Sequence, residues 1–284
     1  MGDLIIENNI VKGCKEKYVV QINIPAGVKA VGDNAFRGLQ KLYDINFPKS
    51  LVHIGSGAFE DCPSLMGIRL SDVSYIGERA FMNCIGLKKV ELSDKISYLC
   101  NNTFTGCRSI EKICLPKSVS YIGCECFKDC TSLSELEMNG VMEIDNNAFE
   151  NCRELHDIFL PKTLIHIGPN AFSFCESLGT VTFFNKFIDI DESAFENTIK
   201  KVFKAVQFST AYFYARDRPD VIFKPSILKK EGMIINTEDL SKLRTSGIMF
   251  MSKPADKPEK TMIIFDGSQK NYILSIIGGD NNAE

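Results

Sequence analysis

The 284-residue chain has no tryptophan and only three histidines, so a histidine-rich metal centre is not expected. It has no continuous apolar stretch of ~18 residues, the length a membrane-crossing helix needs. It also lacks an excess of either charge: 33 Lys and Arg stand against 36 Asp and Glu, a formal net charge of −3. Bulk attraction to nucleic acid or an anionic membrane is therefore not expected. Motifs for phosphate loops, dinucleotide folds, zinc peptidases and nucleophile elbows are all missing. His53 and His166 lie far apart in sequence, and His156 falls in a loop, so no catalytic constellation forms. No catalytic residue, metal site or cofactor is expected.

What the chain has is a period. Phenylalanine recurs at 36, 59, 81, 104, 127, 149, 172 and 195, in steps of 22 or 23 residues. Three residues after each Phe come Leu39, Cys62, Cys84, Cys107, Cys130, Cys152, Cys175 and Thr198. A small residue precedes each Phe, a Gly, Cys or Asp stands four before it, and Leu or Ile follows by six until Lys201. Each unit reads as a short alternating strand, often ended by Pro, then a second short extended piece, then one helical turn carrying the Phe. One unit cannot bury its own apolar residues, so the units must stack.

The unit LxxIxIPxxVxxIGxxAFxxC resembles the BspA-like, or Treponema pallidum-type, leucine-rich repeats. The resemblance implies a strand-rich leucine-rich-repeat solenoid with short helical turns and one continuous parallel sheet. It also implies a non-enzymatic binding role, adhesin-like at a cell surface. The organisation expected is an N-terminal cap over 1–21, a solenoid of eight 22–23-residue repeats over 22–201, a degenerate repeat over 202–228 and a small α+β module over 229–284. The cap reads as a hairpin with its turn at Asn8-Asn9. In the degenerate repeat, truncating Phe203 to Ala is expected to cost less stability than the same change at Phe104. The module reads as a strand at 233–236, a helix at 237–243 and three apolar strands, which either pack on the last repeat or bury surface against another chain, giving a homo-oligomer.

Six of the eleven cysteines share one repeat position and should form a column of buried, reduced thiols packing as small hydrophobes. Cys114 and Cys124 fall in solvent phase and are the candidate reactive thiols. The unpaired cysteines, and the absence of a signal-peptide pattern in the first thirty residues, point to a cytoplasmic chain; the resemblance points instead to the cell surface or secretion.

Two faces could meet a partner, protein or glycan. Six residues before each Phe stand Ala30, His53, Tyr75, Tyr98, Tyr121, Glu143, His166 and Asp189. The three consecutive tyrosines would form an aromatic ladder, flanked by His53 and His166, that either packs on itself or presents a contact surface. The outward strand positions, among them Arg69, Glu91, Lys112 and Glu137, mix signs and make no basic track, so nucleic acid is not expected. The alternative role is an intracellular assembly subunit whose C-terminal module makes the contacts.

Overall fold

The computed structural model describes residues 3–198, 201–206, 208–216 and 218–225, together with the strands Ile248–Ser252, Glu259–Phe265 and Asn271–Ile277. The strand expected at 233–236 and the helix expected at 237–243 lie outside the described residues. The protein is a strand-rich solenoid. We number its coils 1 to 8 by their core phenylalanines, Phe36 to Phe195.

The chain enters through the expected hairpin. Strands Leu4–Glu7 and Ile10–Cys14 pair antiparallel across Asn8 and Asn9, whose φ values of 51° and 63° are both left-handed. A two-residue turn of this hand matches the twist of the strands it joins, and Asn tolerates it. The second hairpin strand then pairs parallel with Ala30–Val31, seeding the first coil.

Each coil contributes a strand of three or four residues, such as Asp44–Asn46 or Glu135–Met138, and a two-residue strand after the corner, such as His53–Ile54. Both kinds stack parallel on their counterparts in the next coil. The third side is held by backbone bonds that run forward, three from each of coils 1 to 6; among them Phe59 N–H donates to Ala80 O, and Phe127 N–H to Ala148 O, at 2.8 and 2.7 Å. On the corner side the donors run backward, as from Gly55 N–H to Val31 O at 2.8 Å. Every coil is thus tied to both neighbours, and the backbone groups that stacking removes from water find partners.

The long-strand column departs from the one continuous sheet implied by resemblance. Its bonding is divided: strand Gln21–Asn23 pairs with Asp44–Asn46, Gly67–Arg69 with Lys89–Glu91, Lys112–Leu115 with Glu135–Met138, and four strands from Asp157–Leu160 to Val221–Pro225 form the last group. Strands this short offer few bonds each, and the bonds of a parallel pair are slanted, so a small divergence between coils removes a whole bridge. The corner column is interrupted once, between Tyr75–Ile76 and Tyr98–Leu99.

The core is a file of rings. From Phe59 to Phe195 successive phenylalanines stack at 5.2–5.5 Å between centroids, with interplanar angles of 1–9°. That distance slightly exceeds the spacing of stacked strands, ~4.8 Å, which gives the offset stack that ring quadrupoles prefer. All eight rings are buried, as are the column cysteines and the leucine or isoleucine six residues on.

After coil 8 the pattern changes but the stack continues. Strand Lys201–Ala205 pairs in register with Thr180–Phe183, and Val221–Pro225 pairs with it in turn. Between them, helix Thr210–Arg216 replaces the corner strand and turn. Phe203 lies in the core of this coil. The ring is fully buried and lies 4.9 Å from Phe183, 5.1 Å from Phe195 and 5.7 Å from Tyr214. Val181 pairs with Phe203, so its side chain enters the core from the strand, where the earlier coils carry smaller aliphatics. Further on, Ile248–Ser252, Glu259–Phe265 and Asn271–Ile277 form a three-stranded antiparallel sheet.

Candidate functional site

The corner column brings the aromatic positions into register: Ala30, His53 and Tyr75 pair in sequence, as do Tyr98, Tyr121, Glu143, His166 and Asp189. The rings do not form one uniform ladder. His53 and Tyr75 stack at 4.5 Å and 11°. Tyr75 then meets Tyr98 edge-on, at 6.1 Å and 72°, across the interruption of the corner sheet. Tyr98 is 42% exposed. Tyr121 instead donates its hydroxyl to the Asp145 carboxylate at 2.5 Å. Partial burial, reinforced by that carboxylate, pushes the Tyr121 hydroxyl pKa up. The Tyr75 hydroxyl is also shifted up, first by burial and then by the adjacent Cys100 thiol. His166 stands apart, its Nδ1 2.9 Å from Asp189. The structure therefore gathers His53, Tyr75 and Tyr98 into one exposed aromatic group and ties Tyr121 and His166 to carboxylates in the later coils.

On the strand face, all four singled-out charges point outward and are already paired within the chain. Arg69 Nε lies 2.6 Å from Glu91, and Lys112 Nζ lies 2.9 and 3.1 Å from Glu135 and Glu137. These hydrogen bonds raise the pKa values of Arg69 and Lys112 and lower that of Glu137. Such exposed pairs steer and orient more than they stabilise. Beside them lies an open depression lined by Glu135, Glu137, His156, Asp157 and Phe159. The strand alternation already places its outward residues on this face; their grouping around Phe159 depends on how the coils stack.

The six column thiols are all buried and free. They do more than fill space. Each donates its S–H to the carbonyl of the core Phe in the preceding coil, from Cys62 to Phe36 O at 3.1 Å through Cys175 to Phe149 O at 3.2 Å. Leu39, in coil 1, has no core Phe in a preceding coil to serve. Thr198 turns its hydroxyl to Phe195 O of its own coil at 2.9 Å. Burial pushes the Cys62 and Cys175 thiols up to about 12 and the other four upward as well. Of the two candidate reactive thiols, Cys114 is exposed and Cys124 half-buried. Both are shifted upward, by desolvation first and then by Glu137 and Glu125 respectively, so neither is primed as a thiolate. Among the described residues no cluster of three or more His, Cys, Asp or Glu is placed to hold a metal.

A family model for the BspA-type leucine-rich repeat region, in six copies, matches residues 5–116 and 98–211. The chain belongs to the BspA-type leucine-rich repeat family. It resembles a leucine-rich cell surface protein from Faecalibacterium prausnitzii, with 27% identity over 64% of this chain and 53% of that one, at a TM-score of 0.59. It also resembles leucine-rich repeat proteins from Eubacterium ventriosum, at 25% identity over 61% and 50% with a TM-score of 0.54, and from Bacteroides ovatus, at 24% over 72% and 69% with a TM-score of 0.56. The match spans about half the length of the first and of the Eubacterium protein. No curated protein matches the sequence. The family is one of repeat scaffolds, and among the described residues no helix is long and apolar enough to cross a membrane.

Proposed function

We propose that this BspA-type chain is a non-enzymatic binding scaffold that recognises a protein partner through the exposed aromatic group His53, Tyr75 and Tyr98. The observation that carries the reading is Tyr98, a large amphipathic ring left partly exposed and met edge-on by Tyr75. Tyrosine presents wide contact area at low entropic cost, and one such anchor can dominate an interface. The column is flat, so it suits a strand or loop of a protein, or a pair of sugar rings, better than a small metabolite. Tyr98→Ala tests this. Loss of ~2 kcal/mol of affinity for a partner recovered by pull-down, with melting nearly unchanged, supports a contact role. Unchanged affinity with a lowered melting point assigns the ring to self-packing and moves attention to Arg69, Glu91, Lys112 and Glu137.

We further place the protein at a cell surface, in an adhesin-like role, on the strength of its likeness to the Faecalibacterium surface protein. The free thiols favour the competing cytoplasmic location. Washed-cell surface fractions decide: the native protein found only in the soluble cell interior overturns the surface assignment.

A further inference from the structure

Charge and exposed aromatic surface are both unevenly placed along this solenoid, and they coincide. Coils 1–5, residues 22–130, carry 13 Lys and Arg against 11 Asp and Glu, while coils 6–8, residues 131–198, carry 3 against 12. The later coils therefore hold a net charge of −9 in a chain whose total is −3. Among the described residues the exposed phenylalanines gather in the same region: Phe159, Phe174, Phe184 and Phe187 are 58%, 44%, 37% and 69% exposed, all in coils 7 and 8. Where Phe159 stands, the six earlier coils carry Asn23, Asn46, Arg69, Glu91, Cys114 and Glu137. Phe187 holds the position that buries Val28, Leu51, Val73 and their successors, yet it faces out and Ile188 takes the inside place. Asn185 fixes that one-residue slip by donating to Leu164 O at 2.7 Å and accepting from Phe187 N–H at 3.1 Å. Exposed apolar surface concentrated in this way marks a contact, and the charge around it selects the sign of what makes that contact.

One place on the strand face joins the two features. The long strands of coils 6 and 7, Glu135–Met138 and Asp157–Leu160, are not bridged to each other. Where they part lies the depression lined by Glu135, Glu137, His156, Asp157 and Phe159, about 520 Å³ in volume. Phe184 lies 6.5 Å from Phe159, centroid to centroid, and extends its apolar side. Coils 5, 6 and 7 carry Lys112, Glu135 and Asp157 at one outward strand position, and Cys114, Glu137 and Phe159 at the next. Lys112 bonds both Glu135 and Glu137 with its one charge, and Asp157 makes no ion pair at all among the described residues. Like charges side by side on neighbouring strands repel. A cation entering beside Asp157 does for coil 7 what Lys112 does for coil 6. The exposed Phe159 ring favours a guanidinium, which stacks on an aromatic face and grips a carboxylate with two parallel N–H bonds. Phe184 lies beyond what a small free cation covers, so an apolar neighbour of that arginine completes the fit. Nucleic acid and anionic membrane carry the wrong sign for this surface.

We infer that this depression docks a basic segment of a protein, which seats an arginine over Phe159 between Asp157 and Glu137 and lays an apolar side chain against Phe184. It is a second surface, separate from the aromatic group of coils 2–4, and it stands whether or not that group binds.

The test titrates the isotope-labelled full chain with the blocked peptide acetyl-Gly-Leu-Arg-Leu-Arg-Gly-amide and follows the backbone amide resonances. Saturable shifts are expected at residues 135–137, 156–159 and 180–184. Asp157→Asn and Phe159→Ser should each weaken binding roughly tenfold, as should replacing both peptide arginines by glutamine. Both side chains are exposed, so each variant should melt close to the parent. No shifts in those segments, parental affinity in either variant, or equal binding of the glutamine peptide overturns the inference. Spermine shifting the same amides as strongly as the peptide also overturns it, by making the depression a small-cation site. Shifts of those amides driven by protein concentration alone do so too, by giving the face to a second copy of this chain.

Discussion

Two files of rings run along this molecule at the same period, one inside and one outside. The inner file, Phe59 to Phe195, keeps its rings within 9° of parallel through seven coils. The outer one stacks His53 on Tyr75, turns edge-on at Tyr98 and then gives way to a tyrosine bound to Asp145. Repetition of sequence is thus not enough to repeat geometry. Inside, close packing on all sides leaves each ring one orientation. Outside, a ring has an open side, and whichever polar neighbour is in reach decides where it points.

The contrast can be broken from the inside first. Phe104→Ala should cost ~3–5 kcal/mol of stability, measured by denaturant melts, because the emptied site cannot collapse between two stacked rings. Phe203→Ala should fall in the same range, since that ring is equally buried among Phe183, Phe195 and Tyr214. A clearly smaller loss at Phe203 would mean that the coil after Phe195 contributes little to the cooperative unit.

Alkaline pH should come next. The folded Cys62 and Cys175 thiols titrate near 12 against an ordinary value of 9.0. Above that ordinary value the unfolded chain releases thiol protons that the folded chain still holds. The stability this supplies is complete below pH 9 and declines as pH rises towards 12. Melts from pH 8 upward should therefore fall, and Cys62→Ala with Cys175→Ala should flatten the fall. An identical slope in that variant would move the effect to other groups.

Smaller again, Cys107→Ala removes one S–H bond to Phe81 O and a sulfur's volume, for about 1 kcal/mol. The outer file should yield least: Tyr98→Ala should change stability by ~1 kcal/mol or less. A Tyr98 loss as large as that at Phe104 would erase the distinction between the two files.

Much of this was legible in the sequence because a period of 22–23 residues names the same buried site eight times. Phe, the residue before it and the Cys after it declare their burial by recurring, and Asn8-Asn9 announces the hairpin by turn chemistry. Three features were not legible. The thiol bonds depend on a carbonyl in the preceding coil, whose direction no residue type encodes. The division of the aromatic column depends on which carboxylate comes within reach of Tyr121. The outward Phe187 depends on a slip of one residue at a corner, and periodicity places it inside with its counterparts. The exposed side chains, where any contact must be made, are the ones repetition constrains least.

The thiol column makes each coil from the second to the seventh report on itself. A sealed, protonated sulfur reacts with a reagent only when its own coil opens, so its modification rate measures the breathing of that one turn. Six such sensors, evenly spaced and already in place, can show whether the solenoid frays from its ends, with Cys62 and Cys175 responding before Cys107 and Cys130, or comes apart all at once.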